Sequence, residues 1–428
     1  MCVKDNIRNK EIKIVDTTLR DGEQTAGVAF ANHEKIAIAQ ALSDIGIDQL
    51  EVGIPTMGGD EKATIKAICK RNLKASIMAW NRAVVSDIEQ SIDCGVDAVA
   101  ISLSVSDIHI QHKLKKSRQW VLENMFNAVT FAHKNGLYIS VNGEDASRAD
   151  TDFLIEFINV AKQAGADRFR FCDTVGVMEP FSTRDKIEKI YKATNFDIEM
   201  HTHNDFGMAT ANAIAGVIGG ANYIGCTVNG LGERAGNADL VSCLLAVLKS
   251  AGFRNEYHID PNIDLSKAWQ LAKYTSYAFG VPIPINQPAV GDNAFAHESG
   301  IHADGALKDR RNYELYDFEE LGRGEPEIIE TGRMITTGEY GGIKGFRNVY
   351  DNLEIEFKDE HEARNILELA RYANVHTQKP LTSSELRFIY YYPDIAAQIM
   401  TVQPYYDPQG AIKERVEAKL LTKPHRII

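Results

Sequence analysis

An arginine beside an aspartate at the end of one apolar run, and two histidines one residue apart at the end of another, are the residues of this chain best suited to chemistry. The first pair is Arg20-Asp21, in Asp16-Thr-Thr-Leu-Arg-Asp-Gly-Glu-Gln24; the second is His201-Thr-His203, followed by Asn204-Asp205. Alternate residues of a strand face one side, so His201 and His203 present two imidazoles to one point while Thr202 faces away. With the Asp21 carboxylate they form a facial ligand set for a divalent ion, leaving positions for substrate and water, which is the condition for Lewis-acid catalysis. Asn237, in Gly232-Glu-Arg-Ala-Gly-Asn237, offers an amide oxygen to the same ion or an N-cap to the next helix, and the two roles are compatible. Oxygen ligands mixed with imidazole suit Mn2+ or Mg2+, and also Zn2+, Co2+ or Fe2+. Arg20 is placed to stabilise an enolate or alkoxide oxygen. Its alternative role is an ion pair with Glu51 or Glu144, either of which could belong to a proton relay.

These residues need elements that bring them to one place. From Ile12 to about Gly252, eight β-branched runs alternate with amphipathic segments, predicting strands at 12–19, 49–55, 74–80, 98–105, 138–144, 168–174, 197–203 and 223–229. The helices that follow take Asn32, Asp150 and Asn237 as expected N-caps and Gly46 and Gly165 as C-terminal glycines. Eight β-then-α units read as an α/β fold, a parallel (β/α)8 TIM barrel with a C-terminal, mainly helical subdomain. Arg20, Asp21, Glu51, Asn142, Glu144, Thr174, His201, His203 and Asn237 all fall at or just beyond strand C-termini, the face where barrel enzymes place their chemistry. Trp80 ends strand three, where it serves as core or as a pocket wall. The expected organisation is a barrel over 1–265, a lid subdomain over 266–345 contributing to the active site, and a helical tail over 346–428. The subdomain holds Gly300-Ile-His302-Ala-Asp-Gly305, whose flanking glycines permit close backbone approach.

At 428 residues the chain can bury one large core. A net charge of −12 argues against nucleic acid, which needs clustered Lys and Arg. Six cysteines without CxxC spacing read as reduced residues of a cytoplasmic protein. Neither a signal peptide nor an apolar run of about 18 residues is present, so no membrane partner is expected.

With DTTLRDGEQ, HTHND, GLGERAGN and GIHADG in this order, the chain resembles the acetyl-CoA-condensing branch of the DRE-TIM metallolyase superfamily, over about Lys13 to Gly322. That branch includes 2-isopropylmalate, citramalate and homocitrate synthases and the Re-type citrate synthases. The resemblance implies Asp21, His201 and His203 as metal ligands with Asn237 near the fourth position. It implies Arg20 at the 2-oxo acid, Glu144 in a proton relay and Thr174 at the substrate carboxylate. Gln24, Glu51, Trp80 and Asn142 are expected to line the substrate site. His302, with Tyr313 as companion, is implied as the base on acetyl-CoA. It would come from a neighbouring subunit, so a homodimer completes the site in trans. The position of the arginine that reads the distal carboxylate of 2-oxoglutarate in lysine-pathway homocitrate synthases holds Ser140. Asn142 shortens the pocket by about one or two methylenes and offers amide donors. The family's Gly-Lys-His-Ser-Gly run is replaced by Thr337-Gly-Glu-Tyr-Gly-Gly-Ile-Lys-Gly345. Asn142 and the replaced run favour oxaloacetate, giving citrate, over 2-oxoglutarate, giving homocitrate; Ser140 does not exclude homocitrate, because the nitrogenase-type homocitrate synthases also lack that arginine. A carbon–carbon lyase of the hydroxymethylglutaryl-CoA type and an inactive binding homologue are the more distant readings.

Overall fold

The computed structural model describes residues 10–323, 334–335, 343–377 and 381–399. Eight strands, β1 (Lys13–Asp16), β2 (Gln49–Glu51), β3 (Ser76–Arg82), β4 (Ala98–Ser104), β5 (Tyr138–Glu144), β6 (Arg168–Asp173), β7 (Ile198–Thr202) and β8 (Tyr223–Cys226), form a closed parallel barrel in sequence order. Closure is the pairing of β1 with β8, from Lys13 opposite Tyr223 to Asp16 opposite Cys226. All eight expected strands are present, most of them shorter than predicted, because several motif residues turn out of the ladder at the C-terminal rim.

Parallel strands covered by helices must be apolar on their outer face. Ile14, Ile77, Val99, Val141, Phe169, Ile198 and Ile224 are all buried there. The covering helices are α1 (Asn32–Ile45), α2 (Gly59–Cys69), α3 (Val85–Cys94), α4 (Arg118–Lys134), α5 (Thr151–Ala164), α6 (Pro180–Thr194), α7 (Ala209–Ile218) and α8 (Leu240–Lys249). Residues of the opposite parity fill the barrel, where Val15, Met78, Ala98, Ala100 and Tyr223 cluster with Trp80 and Tyr138.

The helix ends follow local chemistry, with two corrections. Asp150 caps α5 by accepting from Phe153 N at 2.9 Å, and Gly46 and Gly165 adopt left-handed φ of 102° and 104° at the ends of α1 and α5. At α1, however, Asn32 is already helical, and Glu34 reaches back to accept from Ala31 N at 2.8 Å. At α8 the cap is Asp239, accepting from Ser242 N at 2.8 Å, because Asn237 is drawn into an antiparallel bridge with His203.

The chain forms two compact units, Met1–Gly291 and Asp292–Ile428, so the stretch 266–345 expected as one subdomain is shared between them. The first unit continues past 265 because α9 (Ala268–Phe279) packs on the barrel. Phe279 meets Phe30 at 4.0 Å between ring centroids, and Asn229 donates to the Ala272 carbonyl at 2.9 Å. In the second unit are α10 (Gly300–Lys308), α11 (Ile343–Asn352), α12 (Glu360–Thr377), α13 (Ser383–Tyr391) and α14 (Pro393–Ile399). The last four enclose a core that includes Phe346, Tyr350, Leu367, Leu386 and Ile389. Most of the Thr337–Gly345 departure, and the tail beyond 399, lie outside the described residues. Among those described, no helix is long and apolar enough to cross a membrane.

Candidate metal centre and active site

The turn after β1 sets the site. Asp16 accepts from both the backbone N and the hydroxyl of Thr18 at 2.9 Å, and this tight turn lets Arg20 N and Asp21 N donate to the Thr17 carbonyl. Burial pushes the Asp16 carboxyl up to about 7, beyond what the Thr18 hydrogen bonds offset. Asp21, buried, projects across the rim toward β7.

Asp21, His201 and His203 each bring a ligand atom to within 4.8 Å of one another, and all three are buried. Asp21 Oδ2 lies 3.2 Å from His201 Nε2 and 3.9 Å from His203 Nε2. Donor atoms on adjacent positions of an octahedral ion stand about 3 Å apart, so this spacing suits a hard divalent cation. Burial and the neighbouring His201 push His203 down to about 4, which leaves its imidazole neutral near pH 7, the form that ligates. Burial alone would raise the Asp21 carboxyl, but Arg20 and His201 outweigh it and hold it well below the usual carboxylate range. Asn237 donates to Asp21 Oδ2 at 2.7 Å and to the Leu231 carbonyl at 3.1 Å, while its Oδ1 is buried with no partner among the described residues. A buried amide oxygen left unpaired, on a side chain that touches one of the three candidate ligands, is one that an ion would satisfy. Gly232 is what admits this side chain, since a Cβ there would lie 2.4 Å from Asn237 Nδ2.

Beside Asp21 runs a buried ladder of charges, of which the sequence reading offered only the Arg20–Glu51 pair. Arg168 Nε donates to Glu199 Oε2 at 2.7 Å, Glu199 Oε1 faces Arg170 Nε at 2.6 Å, and Arg170 Nη1 donates to Glu51 Oε2 at 2.5 Å. Glu51 Oε1 in turn accepts from Arg20 Nε, and Arg20 Nη1 lies 3.2 Å from Asp21 Oδ1. Burial would raise Glu51, but Arg170 and Arg20 prevail and hold it at about 2. Glu51 is therefore an ionised clamp on two guanidiniums. Its signal in the sequence was parity: Arg168 and Arg170, Glu199 and His201, and Gln49 and Glu51 are all alternate residues of strands.

Glu144, at the end of β5, accepts from Ser104 Oγ at 2.6 Å and from Lys113 Nζ at 2.5 and 2.7 Å. Lys113 belongs to a π-helical turn, His109–Leu114, another feature the sequence reading missed. Thr174 Oγ1 accepts from Asp145 N at 2.8 Å. Arg234, in the left-handed region at φ 55°, binds both Asp205 oxygens at 2.8 and 2.9 Å and the Thr174 carbonyl at 2.7 Å, tying three rim loops together. Asn142 is buried on β5 and shares its Oδ1 with Ser140 Oγ at 3.3 Å. Trp80 lines the interior, half-buried, and Gln24 lies exposed, 3.4 Å from Arg20 Nη1.

Within the second unit the His302 and Tyr313 rings stack at 4.3 Å. Gly305 makes the room, since a Cβ there would come within 2.3 Å of the Tyr313 ring.

A closed parallel barrel with two imidazoles, a carboxylate and an amide gathered at its C-terminal rim defines a (β/α)8 protein with a candidate site for a divalent metal. A family model described as HMGL-like matches residues 11–274, and a homocitrate synthase post-HMGL domain-like model matches 289–377. The chain is 55% identical over 383 residues to 2-isopropylmalate synthase 2 of Caldanaerobacter subterraneus subsp. tengcongensis, covering 90% of this chain and 96% of that one. It is 45% identical to the citrate (Re)-synthase of Dehalococcoides mccartyi (92% and 99% covered) and 43% identical to homocitrate synthase 1 of Nostoc sp. (88% and 96%). The HMG-CoA lyase of Bacillus subtilis superposes with a TM-score of 0.55 at 21% identity, over 64% of this chain and 96% of that one, a likeness of fold. The chain belongs to the HMGL-like family, in the acetyl-CoA-condensing branch of the DRE-TIM metallolyase superfamily.

Proposed function

We propose that this protein condenses acetyl-CoA with oxaloacetate and hydrolyses the thioester, giving citrate and free CoA. The observation that carries the choice of substrate is Asn142, a buried amide on β5 whose oxygen is shared with Ser140. A buried amide is satisfied by a substrate carboxylate and left unpaired by a branched alkyl group, so it selects a short dicarboxylate. The relative of highest identity quoted above carries the name of an isopropylmalate synthase, and the other two are named for different products. Pocket chemistry is therefore a better guide than overall identity. The close second reading is homocitrate formation from 2-oxoglutarate, favoured by the post-HMGL domain match.

Asp21, His201, His203 and the Asn237 amide would hold a divalent ion, which when bound would supply Lewis acidity toward the keto oxygen. Arg20, its guanidinium fixed by Glu51, faces that oxygen and stabilises the charge that develops there. Thr174 and Gln24 orient the substrate carboxylate, and Trp80 walls the pocket. His302, held against Tyr313 and delivered from a second subunit of a homodimer, removes a methyl proton from acetyl-CoA. The methyl carbon then bonds to the keto carbon as the C=O π pair moves onto the keto oxygen, and Glu144 relays a proton to that oxygen to give the tertiary alcohol. Water cleaves the thioester C–S bond, and CoA leaves as the thiol.

Thiol release from acetyl-CoA by metal-reconstituted protein, with oxaloacetate, 2-oxoglutarate, pyruvate and 2-oxoisovalerate in parallel and an EDTA control, tests the reading. Oxaloacetate is expected to give the highest kcat/KM. Preference for 2-oxoglutarate makes the protein a homocitrate synthase, and preference for 2-oxoisovalerate removes the Asn142 argument altogether.

A further inference from the structure

A carboxyl group that gives a proton to a reacting oxygen must be reprotonated before it can do so again. Two basic side chains stand beside Glu144. Lys113 Nζ binds it at 2.5 and 2.7 Å, but an ammonium gives up its proton reluctantly near pH 7. The other is His109, whose Nδ1 lies 3.9 Å from Glu144 Oε1. Imidazole is the side chain that takes and gives protons near neutrality.

The surroundings of this ring are built and not incidental. His109 Nδ1 is buried with no hydrogen-bond partner among the described residues, and Nε2 lies 3.7 Å from Asp145 Oδ2. Each ring nitrogen thus addresses one of two carboxylates that are consecutive in the chain. Consecutive residues of a strand face opposite sides, so a regular continuation of β5 would send Glu144 and Asp145 apart. Asp145 instead takes the left-handed conformation at φ 64°, and both carboxylates reach the same imidazole. Residues other than glycine held in that region cluster at functional sites. His109 itself opens the π-helical turn His109–Leu114, a distortion that also recurs at functional sites. The ring is anchored from behind, because His109 N donates to Ser106 Oγ at 3.3 Å and Ser106 Oγ donates to Asp145 Oδ2. Arg148 Nε donates to Asp145 at 2.8 and 3.1 Å, and Arg148 Nη2 lies 3.5 Å from His109 Nε2. The charged groups against the ring or against Glu144 are therefore two carboxylates, Glu144 and Asp145, and two cations, Arg148 and Lys113. Separations of 3.7 and 3.9 Å become hydrogen bonds with a shift of about 1 Å or through one water, as catalytic contacts tighten when substrate binds. With its side chain 20% exposed, the ring keeps an edge open to solvent.

We infer that His109 is a positioning residue that acts through Glu144, in a row Asp145–His109–Glu144 that returns protons from solvent to the relay carboxyl. As Glu144 gives its proton to the keto oxygen, the Nδ1 proton of the His109 imidazolium passes to Glu144 Oε1. The neutral ring keeps its Nε2 proton, facing Asp145, and takes another at Nδ1 from solvent. This rests on the relay role given to Glu144 above, and not on which 2-oxo acid is condensed.

The test is thiol release by the full-length, metal-reconstituted protein with whichever 2-oxo acid it accepts. His109→Asn keeps an amide donor near the place of Nδ1 but exchanges no proton. Its kcat should fall about tenfold to a hundredfold, toward the lower end of what positioned proton-transfer groups contribute, while KM for the 2-oxo acid stays within about twofold. One ionisation should disappear from the pH profile of kcat. Imidazole added to His109→Ala should restore rate in proportion to its concentration. Glu144→Gln/His109→Asn should be no slower than Glu144→Gln alone, because the histidine acts only through the glutamate. A wild-type kcat and pH profile in His109→Asn overturn the inference. So does a loss that imidazole does not rescue, accompanied by a raised KM, which would reduce the ring to packing, or losses that multiply in the double variant. A wild type that releases no thiol with any 2-oxo acid removes the condensing reaction and the part of His109 together, whereas an active wild type with an unaffected His109→Asn removes only the latter.

Discussion

Asn237 carries two burdens that a single amide can meet only in one orientation. Its nitrogen is occupied by Asp21 and Leu231, and its Oδ1 is buried with no partner among the described residues. Asn237→Ala removes both the orienting bond to Asp21 and the candidate oxygen ligand. The expected result is a loss of Mn2+ affinity of about tenfold to a hundredfold, as for other groups that orient metal ligands. Titration of EDTA-stripped protein with Mn2+ checks this, and an unchanged affinity would return Asn237 to a purely structural part. Gly305 makes a different kind of residue-scale claim. An added Cβ would strike the Tyr313 ring, which is exposed and free to swing away. Gly305→Ala should therefore leave the melting temperature nearly unchanged while lowering the thiol-release rate, by about a hundredfold if the base is misplaced by an ångström. Full activity in that variant would remove the His302–Tyr313 stack from the reaction.

At the scale of elements, the barrel interior is organised by ion pairing as much as by apolar packing. Arg168 and Arg170 of β6 interleave with Glu199 of β7 and Glu51 of β2, and each glutamate stands between two guanidiniums, Glu199 between Arg168 and Arg170 and Glu51 between Arg170 and Arg20. Buried pairs gain little over apolar substitutes, yet removing one partner strands the other, at a cost of about 3–5 kcal/mol. Glu51→Gln should lose stability of that order in urea unfolding. It should also lower activity through Arg20, whose guanidinium loses its clamp. A loss below about 1 kcal/mol would mean that water or a rotamer change compensates the two arginines.

For the whole molecule, the same clamp sets an acid limit. The folded value of Glu51, about 2, lies below its ordinary value of 4.5, so the folded state binds fewer protons than the unfolded one between these values. Its contribution is fully present above pH 4.5 and is lost as pH falls through about 2. Asp16 acts in the opposite direction. Burial raises it from 3.8 to about 7, so its contribution is fully present below pH 3.8 and is lost as pH rises through 7. Stability measured by urea unfolding across pH 2–8 should fall on the acid side in wild type. Glu51→Gln should flatten that acid limb, and Asp16→Asn should flatten the neutral one. An acid limb that keeps its slope in Glu51→Gln would place the limit elsewhere among the buried carboxylates.

Local pattern was enough to read the eight strands, the parity that sets His201 and His203 on one face, the arrival of Asp21 at the same rim and the caps at Asp150, Gly46 and Gly165. Each of these depends on residues close in the chain and on periodicities of two or 3.6. Other features depended on distant partners. Asn237 reads locally as a helix cap, but the bridge to His203 claims it and passes the cap to Asp239. Glu51 and Arg170 lie 119 residues apart in the chain and meet only when barrel closure fixes the register of β2 against β6. Lys113 reaches Glu144 only because a π-helical turn folds back over the rim. Sequence alone determined which side chains face the barrel mouth, because that is a matter of alternation; tertiary structure decided which of them touch, because that is a matter of closure and register.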